Sequence, residues 1–388
     1  MADSGSMRLC SVQAPIIPLV DQLIEQCPGT ISFGQGVVHY GPPDQAKKRL
    51  QDFWSDAANH KYGPILGTPA LQACIREKLE KENQINLSGR SIVVTAGSNM
   101  GFLNLVLAIT DPGDEVILLL PYFFNQEMAV RISGCAPVLV DTDSNYQPIL
   151  SRLERAITSR TRAIVTVSPN NPTGAVYAES VLREINALCL DRGIYHLTDE
   201  AYEYFVDDSV QHFSPASITN SQSHTISLYS LSKAYGFAGW RIGYLVAPSE
   251  LQGSLEKIQD TNVICPSNPS QFAALGALEA GKEYCRPFIE EFNQTRRIVT
   301  NALSGVSDRI EPVETTGAFY VFLRFRDRNI DDMELVRSLI QEHRIALIPG
   351  RAFGVNGACC LRLSYGALPL QMVKEGLGRL VEGISCLT

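Results

Sequence analysis

Residues 225–233 read Thr-Ile-Ser-Leu-Tyr-Ser-Leu-Ser-Lys. Thr225–Tyr229 is a short β-branched and aromatic run of the kind that forms a buried strand, and a polar stretch ending in Lys233 follows it directly. Four runs upstream end in a similar way. Ala96-Gly97-Ser98-Asn99 follows Ile92–Thr95, and Pro121-Tyr122-Phe123 follows Val116–Leu120. Pro169-Asn170-Asn171-Pro172-Thr173-Gly174 comes after Ala163–Val167, and Asp199-Glu200-Ala201-Tyr202 follows Tyr195–Thr198. Val138–Val140 and Gly243–Ala247 complete a set of seven strand-like runs. Amphipathic stretches lie between several of them. In Ala178–Arg192 the residues Val181, Leu182, Ile185, Leu188 and Cys189 fall at helical spacing, and Gly193 supplies a stop. This alternation predicts an α/β fold, with a mostly parallel seven-stranded sheet between helices.

The last hundred residues read differently. Ala318–Phe325, Ile345–Ile348 and Cys360–Ser364 are strand-like, with helices at about Met333–His343 and Leu370–Ile384, which predicts a smaller α+β domain. Ser270–Leu303 is helical in pattern, and Pro287 is expected to break or kink it.

Composition narrows the function classes. The chain has 388 residues, 45% hydrophobic and 19% charged, as ordinary globular proteins do, which excludes a disordered chain. Its net charge of −8 gives no basic footprint for nucleic acid or an anionic membrane. No apolar run approaches the ~18–20 residues needed to cross a bilayer. Met1–Leu9 has no apolar signal core, so a cytoplasmic protein is expected. The ten cysteines, from Cys10 to Cys386, form no CxxC, and the six histidines add no ligand spacing. They read as reduced thiols with no metal.

In an open α/β sheet, ligands bind at the carboxyl ends of the strands. Five strand ends would therefore bring together a phosphate-type turn, an aromatic, an amide, a carboxylate and a lysine. That set suits pyridoxal 5′-phosphate. A lysine amine condenses with its aldehyde, and an acidic partner keeps the ring nitrogen protonated so that the ring can draw off electrons. A helix N-terminus and an arginine hold its phosphate, and an aromatic face covers the ring.

The motifs themselves resemble a known family. Tyr62-Gly63-Pro64-Ile65-Leu66-Gly67, Asn171-Pro172-Thr173-Gly174, Asp199-Glu200-Ala201-Tyr202, Ser230-Leu231-Ser232-Lys233, Gly239-Trp240-Arg241-Ile242-Gly243 and Arg362-Leu363-Ser364-Tyr365-Gly366 occur in this order. Together they are similar to the class I/II aminotransferases of pyridoxal-phosphate fold type I. The resemblance implies a large cofactor domain over 45–285 and a small domain built from 1–44 and 286–388. Gly34-Gln35-Gly36-Val37-Val38-His39 with Pro42-Pro43 departs from the usual family pattern. With Pro121-Tyr122-Phe123-Phe124-Asn125 it resembles the plant aromatic aminotransferases that exchange amino groups between methionine and indole-3-pyruvate or phenylpyruvate.

The resemblance implies these roles. Lys233 is the Schiff-base lysine and proton carrier, Asp199 the partner of the ring nitrogen, and Tyr202 and Asn171 the donors to the cofactor's phenolic oxygen. Asn171 is chosen over Asn170 because it directly precedes the proline. Arg241, Ser230 and the N–H groups of Gly97, Ser98 and Asn99 hold the phosphate. Phe123 stacks on the ring, with Tyr122 and Phe124 as competitors. Arg362 and the backbone of Gly36 read the substrate α-carboxylate. Tyr62 crosses from a partner subunit, which implies a homodimer with shared sites. His39 and Tyr40 lie where the family's side-chain pocket begins, with ordinary loop residues as the other reading.

The implied reaction is ping-pong transamination between an amino acid and a 2-oxo acid. An apolar pocket of Val37, Val38, Tyr40, Tyr320 and Phe353 would favour aromatic or methionine side chains. Arg8, Arg49, Arg351 or a partner's arginine could instead serve a dicarboxylate such as aspartate or glutamate. A C–S or β-lyase sharing the cofactor shell is a further alternative. Ser230-Leu231-Ser232-Lys233 also reads as the SxxK of serine acyl-transfer enzymes, but the KTG-like and SDN-like segments they need are absent from the sequence.

Overall fold

The structure is a computed structural model, and it describes residues 6–312 and 314–387. Residues 1–5 and 388, the outermost parts of the expected small domain, lie outside the described residues. The strands in chain order are β1 (Ile31–Ser32), β2 (Arg90–Thr95), β3 (Glu115–Leu120), β4 (Ala136–Asp141), β5 (Thr161–Val167), β6 (Tyr195–Asp199), β7 (Thr225–Ser230), β8 (Gly243–Pro248), β9 (Tyr320–Arg324), β10 (Ile345–Ala346), β11 (Ile348–Pro349) and β12 (Cys360–Ser364).

Seven of them form one sheet in the order β2-β8-β7-β6-β5-β3-β4. Every neighbouring pair is parallel except those made by β8, which runs antiparallel to both β2 and β7. The reason is local. A parallel return needs a crossover along the sheet, whereas the chain leaving β7 makes only a short helix, Leu231–Ala234, and turns straight back, so that Ser230 pairs with Gly243. The turn therefore leaves Lys233 and Arg241 at the same end of the sheet. The central strands are buried on both faces, as their continuous Val/Ile/Leu runs require, and only the edge strand β4 is largely solvated.

A second sheet, β11-β12-β9, is antiparallel, and β1 pairs in parallel with β10 through Ile31–Ile345 and Ser32–Ala346. The start of the chain is thus hydrogen-bonded to its last hundred residues. Phe33, Phe319, Tyr320 and Ile348 share one continuous core with Val94 and Tyr244 of the large sheet. Each such buried apolar side chain contributes roughly 1.5–3 kcal/mol.

Two expectations are corrected. Ile345–Ile348 is not one strand but β10 and β11, because the chain changes partner at Leu347, from β1 to β12. The long helix Asn268–Ser304 is interrupted at Gly281 (φ 67°, ψ −176°) rather than at Pro287. A positive φ with this ψ is open essentially to glycine alone, so the reorientation falls where no Cβ opposes it. Among the described residues no helix is long and apolar enough to cross a membrane.

Candidate active site

The carboxyl ends of β2, β3, β5, β6 and β7 face a cavity of about 260 Å³. Gly36, Ser98, Asn99, Phe123, Asn171, Asp199, Tyr202, Ser230, Lys233, Arg241 and Arg362 all line it. Two predicted residues do not. Gly97 lies behind Arg241, where a Cβ would come within 2.3 Å of the guanidinium Nη2. Tyr62 is 80% exposed and lines a separate surface cleft with His60, Cys265 and Asn268.

Lys233 sits on the one-turn helix after β7. Ser230 caps that helix by accepting the Ser232 N–H. The Lys233 Nζ donates to Gly36 O at 2.6 Å. Burial, helped by the positive charges of Arg362 and Arg241 and opposed by Asp199, pushes its pKa down to about 8.

Asp199 ends β6. Its Oδ1 accepts the Ala201 N–H at 3.2 Å and its Oδ2 accepts the Gln126 Nε2–H at 2.8 Å. Burial pushes its pKa up to about 6, while those donors and Lys233 pull the other way. The Tyr202 hydroxyl lies 2.6 Å from that of Tyr320, and burial raises both phenols.

Arg362 lies on β12 and is 2% exposed. Its Nη1 donates to Asn171 Oδ1 at 3.0 Å and its Nη2 to Gly34 O at 2.6 Å, but its Nε has no partner. The guanidinium stands 4.8 Å from the Tyr320 ring centre and 5.1 Å from that of Phe353. A buried guanidinium with an unmade bond and replaceable partners is suited to a carboxylate. Asn170 turns into its own loop, accepting from Thr173 and donating to Tyr177, whereas Asn171 faces the cavity.

Gly97 (φ 80°) precedes the helix Ser98–Ile109, and Arg241 (φ 56°) lays its guanidinium against it. A helix N-terminus and a guanidinium meeting in the cavity wall make an anion cradle. With Phe123, Asp199 and Lys233 on the other walls, the donor set fits pyridoxal phosphate: an anion cradle, an aromatic face, a buried carboxylate and an amine. Of the aromatic alternatives, Tyr122 belongs to the core beside β3, while Phe124 also touches the cavity.

Several expected pocket residues lie elsewhere. Val38, Tyr40 and Phe353 are not in the cavity wall. Tyr40 stacks on Phe288 at 3.7 Å and donates to the carbonyls of Lys233 and Ala234, and His39 lies 3.5 Å from Glu291. The long helix Asn268–Ser304 supplies a wide aromatic face there, and both side chains turn to it. Arg8 reaches Ile132 O, Arg49 pairs with Glu279 and Asp52, and Arg351 pairs with Asp331 and Asp332. None of the three lines the cavity. Ile17, Gln35, Phe124 and Asn125 also line it, and Gln126 stands behind Asp199. Asn125 and Phe124 fall within a stretch already marked in the sequence, but nothing local marks Ile17 or Gln126.

The family profile for aminotransferase class I and II matches residues 28–380. The chain is 33% identical to the aromatic aminotransferase ISS1 of Arabidopsis thaliana, over 98% of this chain and 96% of that one. Its structure is similar to the aromatic aminotransferase from Pyrococcus horikoshii (TM-score 0.85, 31% identity, 94% and 98% of the two chains). It is also similar to the aspartate aminotransferase from Thermus thermophilus with maleate (TM-score 0.89, 30% identity, 98% and 99%).

Proposed function

The chain belongs to the class I and II aminotransferases, which use pyridoxal phosphate, and from that premise we propose that it prefers aromatic amino acids or methionine as amino donors. One observation carries the preference. The cationic residues in the cavity wall are Lys233, Arg241 and Arg362, and the cofactor and the α-carboxylate would engage all three, which would leave none for a second carboxylate. Ile17, Val37, Phe124 and Tyr320 offer the side chain a largely apolar surface.

When bound, pyridoxal phosphate supplies an aldehyde that accepts the amino group and a protonated ring that withdraws the electron pair left as the Cα proton departs. The chain's own residues do the rest. Arg241, Ser230 and the amides of Ser98 and Asn99 would anchor the phosphate, while the Gly97 N–H is already bonded to Thr95 O at 2.8 Å, and Phe123 would cover the ring. Asp199, ionised above about pH 6, holds the ring proton. Arg362 exchanges its bonds to Asn171 and Gly34 for the α-carboxylate and so sets the orientation of Cα. The Asn171 Nδ2–H, which Arg362 does not engage, and the Tyr202 O–H, with Tyr320 donating to it, would serve the phenolic oxygen. The Lys233 Nζ, held down to about 8, has a neutral fraction at pH 7 able to take the Cα proton and return it on the cofactor side. The ten free cysteines suit a reducing, cytoplasmic setting.

A second reading is aspartate preference, which the likeness to the maleate-bound Thermus enzyme supports; a partner subunit would have to bring the cation. Comparing kcat/KM for tryptophan, phenylalanine, methionine and aspartate decides between them. The first three are expected to exceed aspartate by about ten-fold or more, and aspartate as the best donor would overturn the preference.

A further inference from the structure

We infer that Gln126 is a positioning residue, whose amide holds the Asp199 carboxylate ionised and aimed at the cofactor's ring nitrogen. The inference rests on the pyridoxal-phosphate reading of the cavity. Gln126 lies in the first turn of the helix Phe124–Ile132, its N–H bonded to Phe123 O at 2.9 Å. This helix starts beyond β3, and β5 separates β3 from β6, so the side chain reaches across the end of β5 to Asp199. It is 3% exposed and absent from the cavity wall, so it acts through Asp199 rather than on a ligand. The two donors divide the carboxylate: the Ala201 N–H takes Oδ1 and the Gln126 amide takes Oδ2 at 2.8 Å. Only the second depends on a side chain.

The other groups facing Asp199 do not replace it. Lys233 favours the carboxylate, but its amine is consumed when the cofactor is bound. Glu200 opposes the charge, although its own carboxylate is held by Thr198, His212 and Ser214. Tyr202 and Tyr320 are phenols kept neutral by burial and bonded to each other. Glu127, next to Gln126, turns to Arg131 and Gln13. Burial pushes Asp199 up, so losing one of two donors moves it further in the same direction.

The test reads binding of pyridoxal 5′-phosphate to the cofactor-free chain against pH, by absorbance. For the wild type the affinity falls as pH drops through about 6, where Asp199 takes up a proton. Gln126→Leu is expected to bind about ten-fold more weakly at pH 7, with the midpoint of the fall moved up by roughly one pH unit. Gln126→His, whose imidazole N–H has a similar reach, is expected to recover most of the loss. If Gln126→Leu does not fold, Gln126→Met takes its place, with the same length and no donor. A midpoint equal to that of the wild type in the donor-free variant, or a Gln126→His chain no better than it, would overturn the inference alone. A wild-type chain that does not take up the cofactor would overturn the site reading beneath it.

Discussion

At the scale of single residues, the site is built from groups that burial pushes toward neutrality and neighbours pull back. Asp199 shows the sign of the effect. Its folded-state pKa is raised from 3.8 to about 6, so between those values the folded, cofactor-free chain binds more protons than the unfolded one. Its contribution is fully present below about pH 4 and is lost as pH rises through 6. An Asp199→Asn chain lacks this loss. Its stability relative to the wild type, measured by urea unfolding, is expected to climb by about 3 kcal/mol from pH 4 to pH 7. A difference constant across that range would show that the carboxyl is not held out of water. The residues that carry this chemistry were legible because each sits in a dense motif at or beside a strand. The Asp199-Glu200-Ala201-Tyr202 segment names its carboxylate by position alone. Gln126 was not legible, since its bond to Asp199 spans 73 positions and depends on strand order.

At the scale of elements, polar ties join segments that share no hydrogen-bonded ladder. The helix Pro69–Lys81 is tied to the turn after β6 by Lys78, whose Nζ lies 2.6 Å from Glu203 Oε1, with Asn83 bonded to both. The side chains of Lys78 and Glu203 are only 7% and 12% exposed. Breaking such a pair strands one charge, and Lys78→Met is expected to cost about 3–5 kcal/mol of unfolding free energy. Lys78→Met with Glu203→Leu is expected to recover much of that, because no charge is left behind. Additive losses in the double variant, seen by urea unfolding, would contradict the coupling. Sequence periodicity finds elements of this kind readily and their interruptions poorly. Proline is the stronger local signal, yet the long helix reorients at Gly281, because the requirement there is a positive φ rather than a missing N–H. The split of Ile345–Ile348 escapes for a similar reason: a continuous apolar run does not say that its two halves belong to different sheets.

At the scale of the whole molecule, the pairing of β1 with β10 binds the two ends of the chain into one body beside the large sheet, which supports the division at about residues 45 and 285 as a working proposal. The same scale bears on assembly. Tyr62 is 80% exposed and Trp54 69%, and Phe53, Trp54 and His60 form an aromatic cluster beside the surface cleft that Tyr62 lines. A face this aromatic is costly to leave in water, and a twofold partner would cover it. The proposed homodimer would carry the Tyr62 hydroxyl of each subunit to the phosphate end of the other's cavity, adding a donor that Arg241 and Ser230 do not provide. Sedimentation at micromolar concentration is expected to give twice 42.6 kDa. Tyr62→Phe is expected to keep that mass while weakening cofactor binding about ten-fold, the loss of one hydrogen bond to a charged group. Specific activity is expected to fall on dilution as subunits separate, and added cofactor will not restore it. A monomer with undiminished cofactor affinity would overturn the shared site, and would also return the search for a second cation, and hence aspartate preference, to this chain's own residues.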